Sequence, residues 1–393
     1  MSYELDEIGG DDLSFLCCRS RPEAPKGSER LRLVDLFAGS GGLTLGAMEA
    51  CRTLGVGLEV RLAMELDEEV RGVYDLNFES SLKDNRADVR SRFDRDPGQK
   101  LSDAEFKTQQ EVGKIDILVG GPPCQGHSDL NNHTRRRDEK NELYMVMIRA
   151  VEVLKPTYVL IENVQGVRRD HGEVLERATW WLREKLRYSV EHRLVRMIDI
   201  GVPQKRVRHI LVAARGRNVE EVLNFSPREN PRTLEWAIAD LLEIAPRSPF
   251  DIAARLTPEN QKRAKYLLES GKYDLPNRLR PPCHRDNPSH RYTAMYGRLK
   301  WEEPAHTITT GYGSPGQGRY LHPSKPRTLT PHEAARVQFF PDWFKFGEDP
   351  SRRLLGHCIG NAVPPKLAFS VLVRLLRKRV ASTMPQTPQG EAA

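Results

Sequence analysis

What most limits the folds open to this chain is a repeated unit: a short apolar run, a turn, then a helix-like stretch. The runs cover residues 31–37 (LRLVDLF), 60–65 (VRLAME), 115–119 (IDILV), 158–162 (YVLIE) and 209–213 (HILVA). Helix-like stretches lie between them at 43–54, 68–77, 142–154 and 173–186. Runs this short and this apolar fit strands buried on both faces, and their alternation with helices predicts an α/β fold with a doubly wound, mostly parallel sheet. Ligands of such sheets bind beyond the carboxyl ends of the strands, so side chains placed there deserve the closest reading.

The pattern breaks in four places. Residues 1–30 are a polar extension, and residues 88–114 are polar and charged, as expected of an insertion on the rim. Residues 246–326 are rich in Pro, Gly, Arg, His and Tyr with few apolar runs. They predict a second, smaller, irregular domain set into a first domain made of residues 31–245 and 327–380. Residues 365–380 (PKLAFSVLVRLLRKRV) read as a final amphipathic helix, and residues 381–393 as a disordered tail.

Composition narrows the class. Hydrophobic residues are 38% and charged residues 29%, the balance of a globular chain. No run of about 18 apolar residues is available to span a bilayer, and the N-terminus lacks a basic segment followed by an apolar one. A cytoplasmic protein without a membrane partner is expected. The six cysteines, at 17, 18, 51, 124, 283 and 358, show no zinc spacing and read as reduced thiols, so no metal is expected. The net charge of +7 is compatible with a polyanionic partner.

Six sites carry residues suited to chemistry. DLFAGSGG, residues 35–42, follows the first run and opens a helix. Its glycines permit close backbone approach, and the helix terminus favours an anion. It is not the GxGxxG of dinucleotide sites, and a turn holding no ligand remains an alternative. Glu65 ends the second run, where a carboxylate can accept from ribose hydroxyls or simply be solvated. Asp88, after a further short run, could take an adenine amino group. GGPPCQG, residues 120–126, sets Cys124 at the tip of a loop stiffened by two prolines, unlike the apolar setting of a structural cysteine. IENV, residues 161–164, flanks Glu162 with apolar neighbours, and burial would raise its pKa toward that of a proton donor. In QKRVR, residues 204–208, alternation puts Gln204, Arg206 and Arg208 on one side, where arginines can hold a carbonyl oxygen or a carboxylate.

Together with RTLTPHEAARVQFFPDWF (residues 327–344) and GNAVPP (residues 360–365), these motifs resemble the ordered motifs of the cytosine-5 DNA methyltransferase family, over roughly residues 31–380. The resemblance implies a Rossmann-like domain binding S-adenosylmethionine. Phe37, Ala38, Gly39, Ser40, Gly41 and Gly42 would line the cofactor. Glu65 and Leu66 would lie at its ribose, Asp88 and Val89 at its adenine, and Pro122, Asn361 and Val363 would close the site. It implies Cys124 as nucleophile, Glu162 on cytosine N3, Arg208 on the base and the glutamate, and Arg206 in support. The substrate would be a cytosine flipped out of double-stranded DNA, methylated at C5 by a monomer that a cognate restriction endonuclease could accompany. Residues 246–326 fall where the family keeps target recognition. Residues 309–319 (TTGYGSPGQGR) would be a flexible loop near a groove, and residues 133–137 (HTRRR) a phosphate-contacting stretch. One departure is His127, where the family usually carries phenylalanine; it bears on loop packing rather than on the reaction.

Three other readings share some of these features. The same chemistry on RNA would use the same motifs, but the long second segment favours DNA. A non-catalytic S-adenosylmethionine-binding regulator would not need Cys124, Glu162 and Arg208 together. A nicotinamide-dependent oxidoreductase fits the sheet but has no use for PPCQ.

Overall fold

A computed structural model describes residues 7–25, 29–82, 88–123, 142–169, 172–286 and 294–383. Its centre is one six-stranded sheet with the order β2-β1-β3-β4-β6-β5. The strands are β1 (Arg30–Leu36), β2 (Gly57–Met64), β3 (Ile117–Gly120), β4 (Tyr158–Val164), β5 (Tyr188–Arg196) and β6 (Val207–Arg215). β1 pairs in parallel with β2 and β3, and β3 in parallel with β4. β6 runs antiparallel to both β4 and β5.

All five expected runs are strands, and the sheet is mixed α/β as expected. β5 was not anticipated. Its sequence, YSVEHRLVR, places charges between apolar residues, and only Tyr188, Val190 and Val195 are buried, so it lacks the apolar signature of the central strands. β5 also fixes the direction of β6. Only residues 197–206 separate the two, too few for the crossover of a dozen or more residues that a parallel pair requires.

Helices cover both faces. Alternate residues of the central strands feed two cores: Leu33, Ile117, Leu160 and Val212 point into one, and Val34, Leu118, Val159 and Leu211 into the other. The first face carries α2 (Gly42–Thr53) and α12 (Pro365–Thr383). The second carries α5 (Leu143–Leu154) and α6 (Val174–Trp180). α2 and α12 approach so closely that a Cβ at Gly46 would overlap the Pro365 carbonyl oxygen and lie 2.7 Å from the Ala368 Cβ. The stretch Arg352–Arg377, which includes most of α12, is apolar enough to cross a bilayer by composition, but 83% of its apolar window is buried inside the protein.

Two polar segments are better ordered than their composition suggested. Within residues 88–114 lies α4 (Asp103–Val112), started by a Ser102–Glu105 capping box. Glu105 is fully buried and accepts from Arg149 of α5 at 2.7 and 2.6 Å, so a buried ion pair rather than an apolar stripe docks this helix. Near the N-terminus, α1 (Asp12–Cys17) buries Phe15 and Leu16 in the first core. At the other end, α12 continues to Thr383, past the expected start of the tail.

Residues 246–326 contain α8 (Pro258–Glu269) and a small apolar cluster of Ala264, Leu267, Leu275 and Leu321. Arginines bonded to carbonyl oxygens supply much of the remaining order. Arg298 donates to Pro323 at 2.7 Å and to Lys272 at 3.1 Å, with its guanidinium 4.3 Å from the Tyr273 ring centre. Arg319 donates to the carbonyls of Tyr273 and Arg298, both at 3.0 Å, and pairs with Asp274. Residues 309–319, expected as a flexible loop, are packed turns in which Tyr312 and Pro315 are buried. Thr309 and Tyr320 are joined through their hydroxyls at 2.8 Å.

Candidate active site

The carboxyl ends of the parallel strands β1, β2, β3 and β4 lie on one edge of the sheet, and several of the expected site residues lie along it. β1 ends at Leu36, and Phe37 takes a left-handed backbone with φ 58°, followed by Gly39 at 56° and Gly41 at 92°. This sequence of left-handed residues is strained for anything but glycine. It folds the chain over the sheet edge and starts α2 at Gly42. Glu65 braces the turn: its carboxylate accepts from the Gly39 N–H at 2.9 Å and from the Asp67 N–H at 2.9 Å. Two backbone donors leave lone pairs on the carboxylate for a further partner. Beside it Leu66 is 68% exposed, an apolar side chain presented to open space at a strand end.

The far side of this cleft comes from the chain's return. Ser40 is buried and donates to the Cys358 carbonyl at 2.8 Å. A Cβ at Gly42 would overlap the Val363 carbonyl oxygen, so the turn and residues 358–363 touch backbone to backbone. Asn361 is exposed at the end of α11 (Arg352–Gly360), next to Val363. Asp88 and Val89 do not end a strand. Asp88 caps a single helical turn at Val89–Ser91 by accepting from the Arg90 N–H at 3.0 Å, and Val89 is buried.

Asp35, to which sequence reasoning gave no role, lies under the turn. It is fully buried; Thr44 donates to its Oδ2 at 2.6 Å, while Oδ1 has no hydrogen-bond partner. Burial pushes its pKa up to about 7, opposed by the Thr44 hydrogen bond and assisted by the charge of Glu65. An acid inside an otherwise apolar run was the available signal. An orphaned carboxylate oxygen, an exposed Leu66 and the open space at Gly39 suit a ligand with a cationic group and an apolar body. S-adenosylmethionine fits that donor and acceptor set.

A second group of residues sits beside the first. Glu162, near the end of β4, is 8% exposed and forms an ion pair with Arg208 of β6, Nε to Oε1 at 2.8 Å. The antiparallel register, which sets Val164 against Arg208 and Glu162 against Ile210, puts both side chains on one face. A Cβ at Gly121 would lie 3.4 Å from Glu162 Oε2 and 3.9 Å from Val363 Cγ2, so the loop after β3 passes between the acid and the chain's return. Pro122 is buried there, its carbonyl accepting from Asn163 at 3.3 Å. Cys124, His127 and residues 133–137 lie outside the described residues.

The other two members of the arginine motif face inward. Gln204 is fully buried and donates to the Val337 carbonyl at 3.0 Å and to Gln338 Oε1 at 2.6 Å. Arg206 is 3% exposed and donates to the Ile308 carbonyl at 2.9 Å. Gln338 donates in turn to the carbonyls of Ile359 and Ala362. These buried bonds tie β6, residues 305–309 and the chain's return into one unit. Arg206 is therefore turned into the protein, away from the Glu162–Arg208 pair.

The arrangement offers an acid and a cation side by side next to a ligand cleft, at the root of a loop carrying a thiol. Comparison with known proteins agrees with this chemistry. The model of the family described as "C-5 cytosine-specific DNA methylase" matches residues 31–377. The chain is 40% identical over 368 residues to the Type II methyltransferase M1.BsuMI of Bacillus subtilis, covering 93% of this chain and 85% of that protein. It is 30% identical to the Type II methylase M.HgiDII of Herpetosiphon aurantiacus, over 85% and 92% of the two chains. Among solved structures, a DNA modification methyltransferase from an Escherichia coli prophage superposes with a TM-score of 0.59 at 24% identity, covering 88% of this chain and 99% of the other. The Entamoeba histolytica methyltransferase EhMeth gives 0.59 at 15% identity, covering 90% and 99%.

Proposed function

The chain belongs to the C-5 cytosine-specific DNA methylase family and is a DNA cytosine-5 methyltransferase, and from that premise we propose that it attacks a flipped-out cytosine of double-stranded DNA through Cys124, with S-adenosylmethionine as methyl donor. The observation that carries this reading is the Glu162–Arg208 pair, 2.8 Å apart on one face of the sheet, beside Gly121, where a Cβ would lie 3.4 Å from Glu162 Oε2 and 3.9 Å from Val363 Cγ2. The acid–cation pair and the cofactor cleft are thereby neighbours.

Cytosine C5 is a poor nucleophile until C6 carries an adduct. The Cys124 thiolate adds to C6, forming a C–S bond and making C5 enamine-like. Glu162 holds a proton at N3 and so offsets the charge that addition drives into the ring. Arg208 holds both Glu162 and the base oxygen O2, its positive end aimed where negative charge develops. Arg206 and Gln204 keep the start of β6 in place. S-adenosylmethionine, when bound, supplies an electrophilic methyl group. Asp35 would offer it a carboxylate oxygen, and Glu65, Leu66, Asp88, Val89 and Phe37 would hold its nucleoside. Loss of the C5 proton and release of the Cys124 sulfur leave 5-methylcytosine.

The target lies inside a duplex, so the base must leave the stack, and residues 246–326 are the recognition domain that selects it. M1.BsuMI and M.HgiDII are Type II enzymes. By analogy this protein works as a monomer in the cytoplasm, protecting DNA from a companion endonuclease.

DNA carrying 5-fluorocytosine at the target tests the covalent step. Fluorine at C5 cannot leave as a proton, so the C–S bond should persist through denaturation, only with S-adenosylmethionine present. The adduct should map to Cys124, vanish in Cys124→Ala and fall sharply in Glu162→Gln. Methylation of ordinary cytosine with no adduct would refute the covalent route, and an adduct confined to fluorinated RNA would refute the DNA substrate.

A further inference from the structure

The family match begins at residue 31, yet the segment before it is bound into the cofactor half of the molecule. Asp12, the first residue of α1, has no exposure at all. Its carboxylate accepts from Lys366 Nζ at 2.8 Å, from Arg232 Nη1 at 2.5 Å and from the Ile8 N–H at 2.7 Å. Arg232 also pairs with Glu7 at 2.9 Å. Ile8, Phe15 and Leu16 are buried in the core of the α2 face, and Phe15 stacks on Phe339 at 6.3 Å. The backbone N–H groups of Asp342 and Trp343 then donate to the carbonyls of Leu16 and Cys18, both at 2.9 Å. Arg21 closes the path by donating to the Asn77 carbonyl at 2.7 Å, at the end of α3 (Glu68–Asn77).

The position of Lys366 gives these bonds a consequence. It is the second residue of α12, fully buried, and three residues past Val363. Backbone atoms just before it press on α2: Val363 against Gly42 and Pro365 against Gly46, with no room for a Cβ at either glycine. Gly42 belongs to the turn that lines the cofactor cleft. A buried ammonium needs a counter-charge to stay where it is, and Asp12 supplies it. Arg228 and Arg232, the other charged groups around Lys366, are cations and would repel it.

We propose that residues 7–18 are a clamp on the cofactor site, and that Asp12 is its positioning residue, holding the first turn of α12 against the glycine-rich turn through Lys366. The inference rests on the cofactor cleft assigned above. It adds that cofactor affinity in this enzyme depends on a segment outside the family's own motifs.

The test uses full-length protein. Asp12→Asn keeps the shape but removes the charge that Lys366 and Arg232 share. In a cofactor titration by calorimetry, its Kd for S-adenosylmethionine should rise about tenfold, with a matching rise in KM. DNA affinity and kcat at saturating cofactor should stay within about twofold of wild type, at a temperature where circular dichroism shows both proteins folded. Asp12→Glu should recover part of the loss. A lower melting temperature with unchanged Kd would mean a structural role alone and would overturn the clamp. Glu65→Ala runs alongside: lost binding there with wild-type binding in Asp12→Asn condemns only the clamp, whereas wild-type binding in both condemns the cleft. If Asp12→Asn does not fold, wild-type hydrogen exchange decides. Coupling between two sites is reciprocal, so adding the cofactor should slow amide exchange in residues 7–18 as well as in residues 37–42. Slowing confined to residues 37–42 would refute the proposal.

Discussion

The two halves of this molecule are held together by different physics. Around the cofactor cleft, order comes from close packing: strands buried on both faces, α2 and α12 in backbone contact, and carbonyl oxygens where a side chain would otherwise be. In residues 246–326 a separate apolar cluster has four buried members, Leu299, Ala305, Ile308, Tyr312 and Tyr320 join the main core, and arginine–carbonyl bonds with Arg298 over the Tyr273 ring supply much of the remaining order. Dense packing makes every methylene count. Hydrogen bonds from long side chains can be re-made by other residues on a surface.

The largest expected effect comes from crossing that line. Replacing residues 246–326 by the corresponding segment of a relative with another specificity should redirect methylation to the donor's sequence. Bisulfite sequencing of methylated synthetic DNA reads this directly, and an active chimera that kept the original preference would place recognition elsewhere. The packing contrast is sharpened by two glycine replacements. Gly46→Val drives a branched side chain into the Pro365 carbonyl and should cost about 3 kcal/mol, the upper end of ordinary overpacking. Gly313→Ala meets only the Ala254 Cβ at 3.3 Å and should stay within about 1 kcal/mol. Urea unfolding of both variants checks the ranking, and equal losses would remove the distinction.

The smallest effect is expected at the joint between the halves. His332, in α10 (Pro331–Val337), bonds Asp251 of the second segment at 2.9 Å and Asp342 at 2.8 Å, with Phe250 stacked on its ring. Burial pushes its pKa down, but the Asp342 and Asp251 carboxylates outweigh that and Arg336, leaving it above the ordinary value. A raised histidine pKa stabilises the fold fully below the unfolded value of about 6.5, and that contribution is lost as pH rises through the folded value. His332→Gln should therefore cost about 1 kcal/mol near pH 6, shrinking toward pH 9. Thermal melts across that range, showing a constant or growing difference, would refute the charged joint.

Sequence alone determined the elements whose signal is local. Five strands, the helices between them and the turn at residues 35–42 are legible because strands buried on both faces must be apolar and such a turn favours glycine. The candidate chemistry at Glu162 and Arg208 was legible because each ends or enters such a strand. Tertiary structure decided what depends on partners distant in the chain. β5 gains its place only by pairing with β6. Glu105 and Asp12 read as solvated acids until Arg149 and Lys366 are beside them. Asp35 looks like any strand residue until the fold removes its water and leaves Oδ1 without a partner. Apolar periodicity is written in consecutive residues. The charge of a buried group is set by whichever groups the fold brings to it, and those lie far along the chain.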